Sequence, residues 1–108
     1  MLSSQSCETL HVSALACLCC GNRFIVDPPL AIESEERLDE DGEPYFIVQE
    51  KTFDFHATRG TLDLAIKAIA EDLCFSYEEF VVKDCLLSEG AIKFQQLLKE
   101  RVRCVEVS

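Results

Sequence analysis

The stretch "CETLHVSALACLCC", residues 7–20, decides how the chain begins. Leu10, Ala14, Cys17, Leu18 and Gly21 recur at the i, i+4, i+7, i+8 spacing of one helical face, and this predicts an amphipathic helix over 7–20. Ser6 stands where an N-cap belongs and Glu8 falls in the first turn, while Gly21 or Asn22 can take a left-handed C-cap.

Reading outward, "RFIV" (23–26) predicts a short strand stopped by Asp27-Pro28-Pro29. Proline donates no ladder hydrogen bond, so the pair marks an edge or a loop. "LAIES" resumes as a strand, and "EERLDEDGEP" follows as an acidic turn with Asp41-Gly42 as its signal. "YFIVQEKTFDFHA" is rich in β-formers, but Gln49 to Thr52 interrupt its alternation. One bulged strand or two short ones fit it equally. The expectation is a β-hairpin with the acidic run at its tip.

The rest reads as helix. Thr61 can cap "LDLAIKAIAEDLC", whose Leu62, Ile66, Ile69 and Leu73 form an apolar stripe. Ser76-x-x-Glu79, flanked by Phe75 and Phe80, has the form of a capping box with a hydrophobic staple. It predicts that one helix ends near Cys74 and another begins at Tyr77 and runs to Leu87. Ser88 and Glu89 open a last helix through Val102, and "RCVEV" alternates as a short edge strand. The fold class expected is α+β in a single domain over 1–108. It comprises an N-terminal helix, a small antiparallel sheet with an acidic hairpin tip, and two or three C-terminal helices.

Charge sets the class of partner. Residues 1–50 hold ten acids against Arg23 and Arg37, which is −8 of the net −10. No basic patch exists to displace counterions from phosphates, so direct nucleic-acid binding is excluded on this reading. An acidic surface attracts basic proteins instead. No apolar run approaches the ~20 residues that span a bilayer. Met1 to Asn22 contains no Lys or Arg, so the positive region of a signal peptide is missing. Seven cysteines without an export signal read as reduced thiols in the cytoplasm, or in a host's cytoplasm for a viral or effector protein.

Chemistry-bearing residues concentrate in two places. Cys17-x-x-Cys20-Gly21 with Phe24 is similar to one knuckle of a zinc ribbon, and Cys7 and His11 complete a four-ligand set on paper. A continuous helix over 7–20 is roughly 20 Å long and keeps those four apart, so zinc requires the helix to break. Without zinc no cofactor is expected, and Cys17 packs as a small apolar residue. Cys7 and His11 also suggest a nucleophile pair, with no third residue to orient it. Lipidation of Cys19 or Cys20 lacks the polybasic second signal that anchoring needs. His56 reads as a rim residue.

The second place is the acidic run. Asp39, Asp41 and Gly42 evoke a calcium loop, but that register puts Arg37 first and Val48 last, where acids are required. Glu33, Glu35, Glu36, Asp39, Glu40, Asp41 and Glu43 are therefore expected to meet a Lys/Arg-rich groove on a partner. The function expected is a small non-enzymatic interaction protein, an inhibitor or immunity-type binder of a basic, nucleic-acid-handling protein. The alternative is a zinc-stabilised regulatory module. Leu86, Leu87, Phe94 and Leu97 exceed what a small core hides and predict a homodimer through the C-terminal helices.

Overall fold

The structure is a computed structural model that describes residues 6–17, 21, 23–83 and 88–105. The chain opens with sheet, not helix. Strand β1 (Ser6–Ala16) pairs antiparallel with the long β2 (Arg23–Leu38), then come β3 (Pro44–Glu50), β4 (Phe55–Arg59), α1 (Leu62–Tyr77), α2 (Glu89–Arg101) and β5 (Val102–Val105). The five strands form one antiparallel sheet in the order β1-β2-β3-β4, with β5 also on β2. The α+β class holds; the N-terminal helix over 7–20 does not.

The physical reason lies at Ser13. Val12 faces Leu30 and Ala14 faces Ile25, so four residues of β2, Val26 to Pro29, stand against Ser13 alone. On one side of this irregularity Leu10 and Val12 point to the core, and on the other Leu15 and Cys17 do. Two short period-two runs shifted by one residue leave Val12 and Leu15 three apart and Leu10 and Cys17 seven apart, which imitates a helical stripe. Gly21 is left-handed as expected (φ +76°), and its N–H donates to the Cys17 carbonyl at 2.9 Å, but it belongs to the β1–β2 connection rather than to a helix end.

The two prolines also differ from expectation, since they lie within β2. β5 pairs with Arg23 to Val26, and β3 pairs with Ile32 to Leu38 along the same side of β2. Asp27, Pro28 and Pro29 fall in the gap between these neighbours and in the irregularity facing β1, where no ladder donor is needed. The Pro28 carbonyl accepts from Arg101 Nη2 at 2.9 Å, which ties α2 to that gap.

The ambiguous "YFIVQEKTFDFHA" resolves into the β3–β4 hairpin. Glu50 is its anchor. This carboxylate is fully buried, and it accepts from the main-chain N–H of Thr52 and, at 2.9 Å, of Phe53. The turn it shapes places Asp54 in the left-handed region (φ +62°), which aspartate tolerates better than most residues. The turn also folds Phe53 into the core against Phe55 and, edge-on at 6.1 Å, Phe94 of α2.

Both helices lie over one face of the sheet, covering Phe24, Val26, Leu30, Ile32 and Val48. Thr61 caps α1 as expected, its Oγ1 accepting from Leu64 N, and Ser88 caps α2 by accepting from Ala91 N. The break expected at Ser76 does not occur. Ser76 is buried inside α1, which continues into a π-helical turn over Glu78–Val82. A capping serine has extended backbone, and continuing the helix keeps Leu73, Tyr77 and Phe80 on the stripe that meets the core. Tyr77 packs edge-on against Phe24 at 5.4 Å and Phe80 against Phe94 at 5.0 Å. Gln95 Nε2 donates to the Phe80 carbonyl at 2.6 Å, satisfying a main-chain acceptor in the π-helical turn. Phe75 stays exposed, so no staple forms. The described helices after the sheet are therefore two. No helix among the described residues is long and apolar enough to cross a membrane.

Candidate functional site

The acidic residues occupy the far end of the β2–β3 hairpin, and pleat geometry divides them. Glu33 lies between Thr9 and Gln49 in register, and Glu35 between Cys7 and Ile47, on the face of the sheet away from the helices. Glu36, one residue on, points to the opposite face beside Phe46. Asp39, Glu40, Asp41 and Glu43 make the exposed tip. The seven residues expected to share one contact thus form an outer-face pair, a single inner-face carboxylate and a tip.

Their roles differ too. Asp39 is an organiser of the turn. Its Oδ1 accepts from Asp41 N at 2.8 Å and Glu43 N at 2.9 Å, while its own N–H and carbonyl bond Glu43 O and Gly42 N. Gly42 takes φ +81°, a conformation glycine adopts without a Cβ penalty. Glu35 holds Arg37 through Nε at 2.7 Å and Nη2 at 3.3 Å. That hydrogen bond, and then the Coulomb attraction, raises the pKa of the Arg37 guanidinium above its ordinary value. Lys51 Nζ sits 3.4 Å from Glu33. Among the described residues, Glu36, Glu40, Asp41 and Glu43 have no cationic partner.

The outer face also holds a shallow concavity of about 290 Å³, lined by Cys7, Thr9, Glu33, Glu35, Ile47 and Gln49. It runs from the hairpin to β1, whose other edge is paired with no strand among the described residues. Charge composition alone marked the carboxylates, whereas neither this concavity nor the open edge was legible while β1 was read as a helix.

The three zinc candidates among the described residues, Cys7, His11 and Cys17, do not converge. Cys7 and Cys17 stand at opposite ends of β1, roughly 30 Å apart for ten residues of extended chain. Cys7 and His11 are exposed on the outer face, Cys17 is buried, and Cys20 lies outside the described residues. Cys7 and His11, four residues apart on a strand, are also separated by roughly 13 Å, too far for a hydrogen-bonded nucleophile pair. No cluster of three metal-ligating side chains occurs among the described residues. Cys19, the other lipidation candidate, also lies outside them. His56 is exposed on β4 opposite Gln49. Of the residues expected to dimerise the chain, Phe94 and Leu97 pack against the core, while Leu86 and Leu87 lie outside the described residues.

No known protein family, no curated protein and no solved structure matches this chain.

Proposed function

We propose that this protein is a small, non-enzymatic acidic binder that docks its β2–β3 hairpin onto a basic surface of a nucleic-acid-handling protein in the cytoplasm, as an inhibitor or immunity-type partner. The observation that carries this reading is the set of three carboxylates, Glu40, Asp41 and Glu43, held out on a turn, with Glu36 on the inner face of β2 close by, none with a cationic partner among the described residues. Carboxylates so placed stand in for phosphates by charge and steer association with a Lys/Arg-rich groove. The Glu33–Lys51 pair is exposed and worth about 0–1 kcal/mol, so an incoming cation exchanges into it at little cost. The Glu35–Arg37 pair is bidentate, with Glu35 half-buried, and is held more firmly.

The test compares the wild-type chain with a variant carrying Glu36→Gln, Glu40→Gln, Asp41→Asn and Glu43→Gln as bait for basic proteins, followed by titration with salt. The expected partner is basic and handles nucleic acid, and its affinity for this chain falls steeply with salt and with the substitutions. A partner whose affinity survives both high salt and neutralisation removes the reading.

A further inference from the structure

The outer edge of β1 is the feature that neither the fold nor the hairpin uses. Over Ser6 to Val12 it carries main-chain donors and acceptors that no strand pairs with among the described residues. Natural sheets blunt such edges with Lys, Pro, inward-pointing charges, bulges or very short strands. β1 has no Lys and no Pro and extends over 11 residues; its protection is limited to Glu8 on the inner face and the irregularity beyond Val12. Its irregularity falls at Ser13, leaving the seven residues from Ser6 to Val12 in unbroken register with β2.

What flanks this edge selects the occupant. Cys7 and Thr9 are short side chains on the outer face, and directly behind them in register stand Glu35 and Glu33, which hold Arg37 and Lys51 in the free chain. The concavity described above lies over those four residues and reaches Ile47 and Gln49 of β3. A strand added to β1 would run two strand spacings, roughly 10 Å, from β2. An extended lysine or arginine and a glutamate together bridge that gap across a floor as low as cysteine or threonine. A second copy of this chain would bring another net charge of −10 to the same place, which self-repulsion disfavours.

We infer that the Ser6–Val12 edge of β1 accepts an extended basic segment of the partner as a sixth strand. Its main chain completes the β1 ladder, and Lys or Arg at alternate positions reach over Cys7 and Thr9 to Glu35 and Glu33. This rests on the basic-partner reading and deepens it: the recognised element is a strand with period-two positive charge, not merely a basic surface. Backbone pairing supplies affinity and the outer-face carboxylates supply the pattern preference.

The probe is a labelled ten-residue peptide of alternating lysine and threonine. It is compared by fluorescence anisotropy with a peptide of the same composition whose lysines are contiguous, and with an alternating peptide N-methylated at every residue. Methylation keeps the charge and removes the donors. The alternating peptide should bind at least about tenfold tighter than the methylated one, the equivalent of one or two net hydrogen bonds. Glu33→Gln with Glu35→Gln should weaken it, whereas Glu40→Gln with Asp41→Asn should not. Amides in the Ser6–Val12 stretch should gain exchange protection. Equal binding by the methylated peptide, with sensitivity at Glu40 and Asp41, overturns the edge proposal and leaves the basic-partner reading standing. Sedimentation of the free chain as a dimer that Thr9→Lys dissolves also overturns it, because the edge is then filled by a second copy. Binding of no peptide, together with a partner indifferent to the hairpin substitutions, removes both.

Discussion

Replacing Glu50 tests whether one buried carboxylate holds the β3–β4 hairpin. Glu50 is 0% exposed, stands in register between Ile32 and Phe55, and has no cationic partner among the described residues. Its two partners are the N–H groups of Thr52 and Phe53. In Glu50→Ala, the Phe53 N–H is left buried without an acceptor, at about 1–3 kcal/mol. Thr52 is only half-buried, so water recovers part of its bond, and the loss there is nearer about 1 kcal/mol. The expected total is about 2–4 kcal/mol, which for a domain of this size lowers Tm by roughly 10–20 °C. Glu50→Gln keeps one acceptor oxygen and sets an amide NH₂ against the other donor, so about half the loss is expected. Chemical and thermal unfolding followed by circular dichroism measure both, with Glu33→Ala as the exposed control, expected within about 0.5 kcal/mol of wild type. Because Phe53 carries the turn into contact with Phe94, amide exchange in α2 should quicken as well. If Glu50→Ala stays within about 0.5 kcal/mol of wild type, the carboxylate does not anchor the turn and the account of this hairpin is wrong.

Asp39→Ala removes an acceptor that serves two exposed amides; exchange at Asp41 and Glu43 should accelerate, with a stability loss of about 1 kcal/mol or less. Gly42→Ala places a Cβ on a residue at φ +81°, and a destabilisation of about 1 kcal/mol is expected in denaturant titration. Leu30→Ala empties a fully buried position facing Val12 and should cost about 2–5 kcal/mol, a value under about 1 kcal/mol contradicting its place in the core. Ser76→Ala should be neutral or slightly stabilising because Ser76 is a helix-interior residue, whereas a loss near 1 kcal/mol would mean that it caps a helix after all.

What could be read from the sequence was local chemistry confirmed by local structure. Thr61 and Ser88 cap their helices, Asp41-Gly42 turns, the stripe of Ile69 and Leu73 is buried, and Arg103 to Val105 of "RCVEV" fall in strand β5. At Ser76 a sound capping-box pattern lost to the packing of Tyr77 on Phe24 and Phe80 on Phe94, contacts made with residues far away in the chain. Glu50 gave no signal either, since a glutamate after a β-run looks like any exposed residue until the turn behind it closes.

The opening stretch shows why such a misreading reaches function. A helix over 7–20 would keep its own hydrogen bonds and offer a partner only side chains. As strand β1, Ser6–Ala16 spends half its donors and acceptors on β2 and leaves the other half at an edge that no strand among the described residues pairs. The residue that hides the strand from a periodicity search, Ser13, is also the one that ends the straight edge, because the face switch there turns Ala14 and Ala16 outward and Leu15 into the core. It leaves Cys7 and Thr9 on a seven-residue edge backed by Glu35 and Glu33. The acidic charge visible in the composition and the strand concealed by its irregularity therefore meet at one place. On the proposed reading, a binder built this way would be selective through the register of a partner strand as well as through charge.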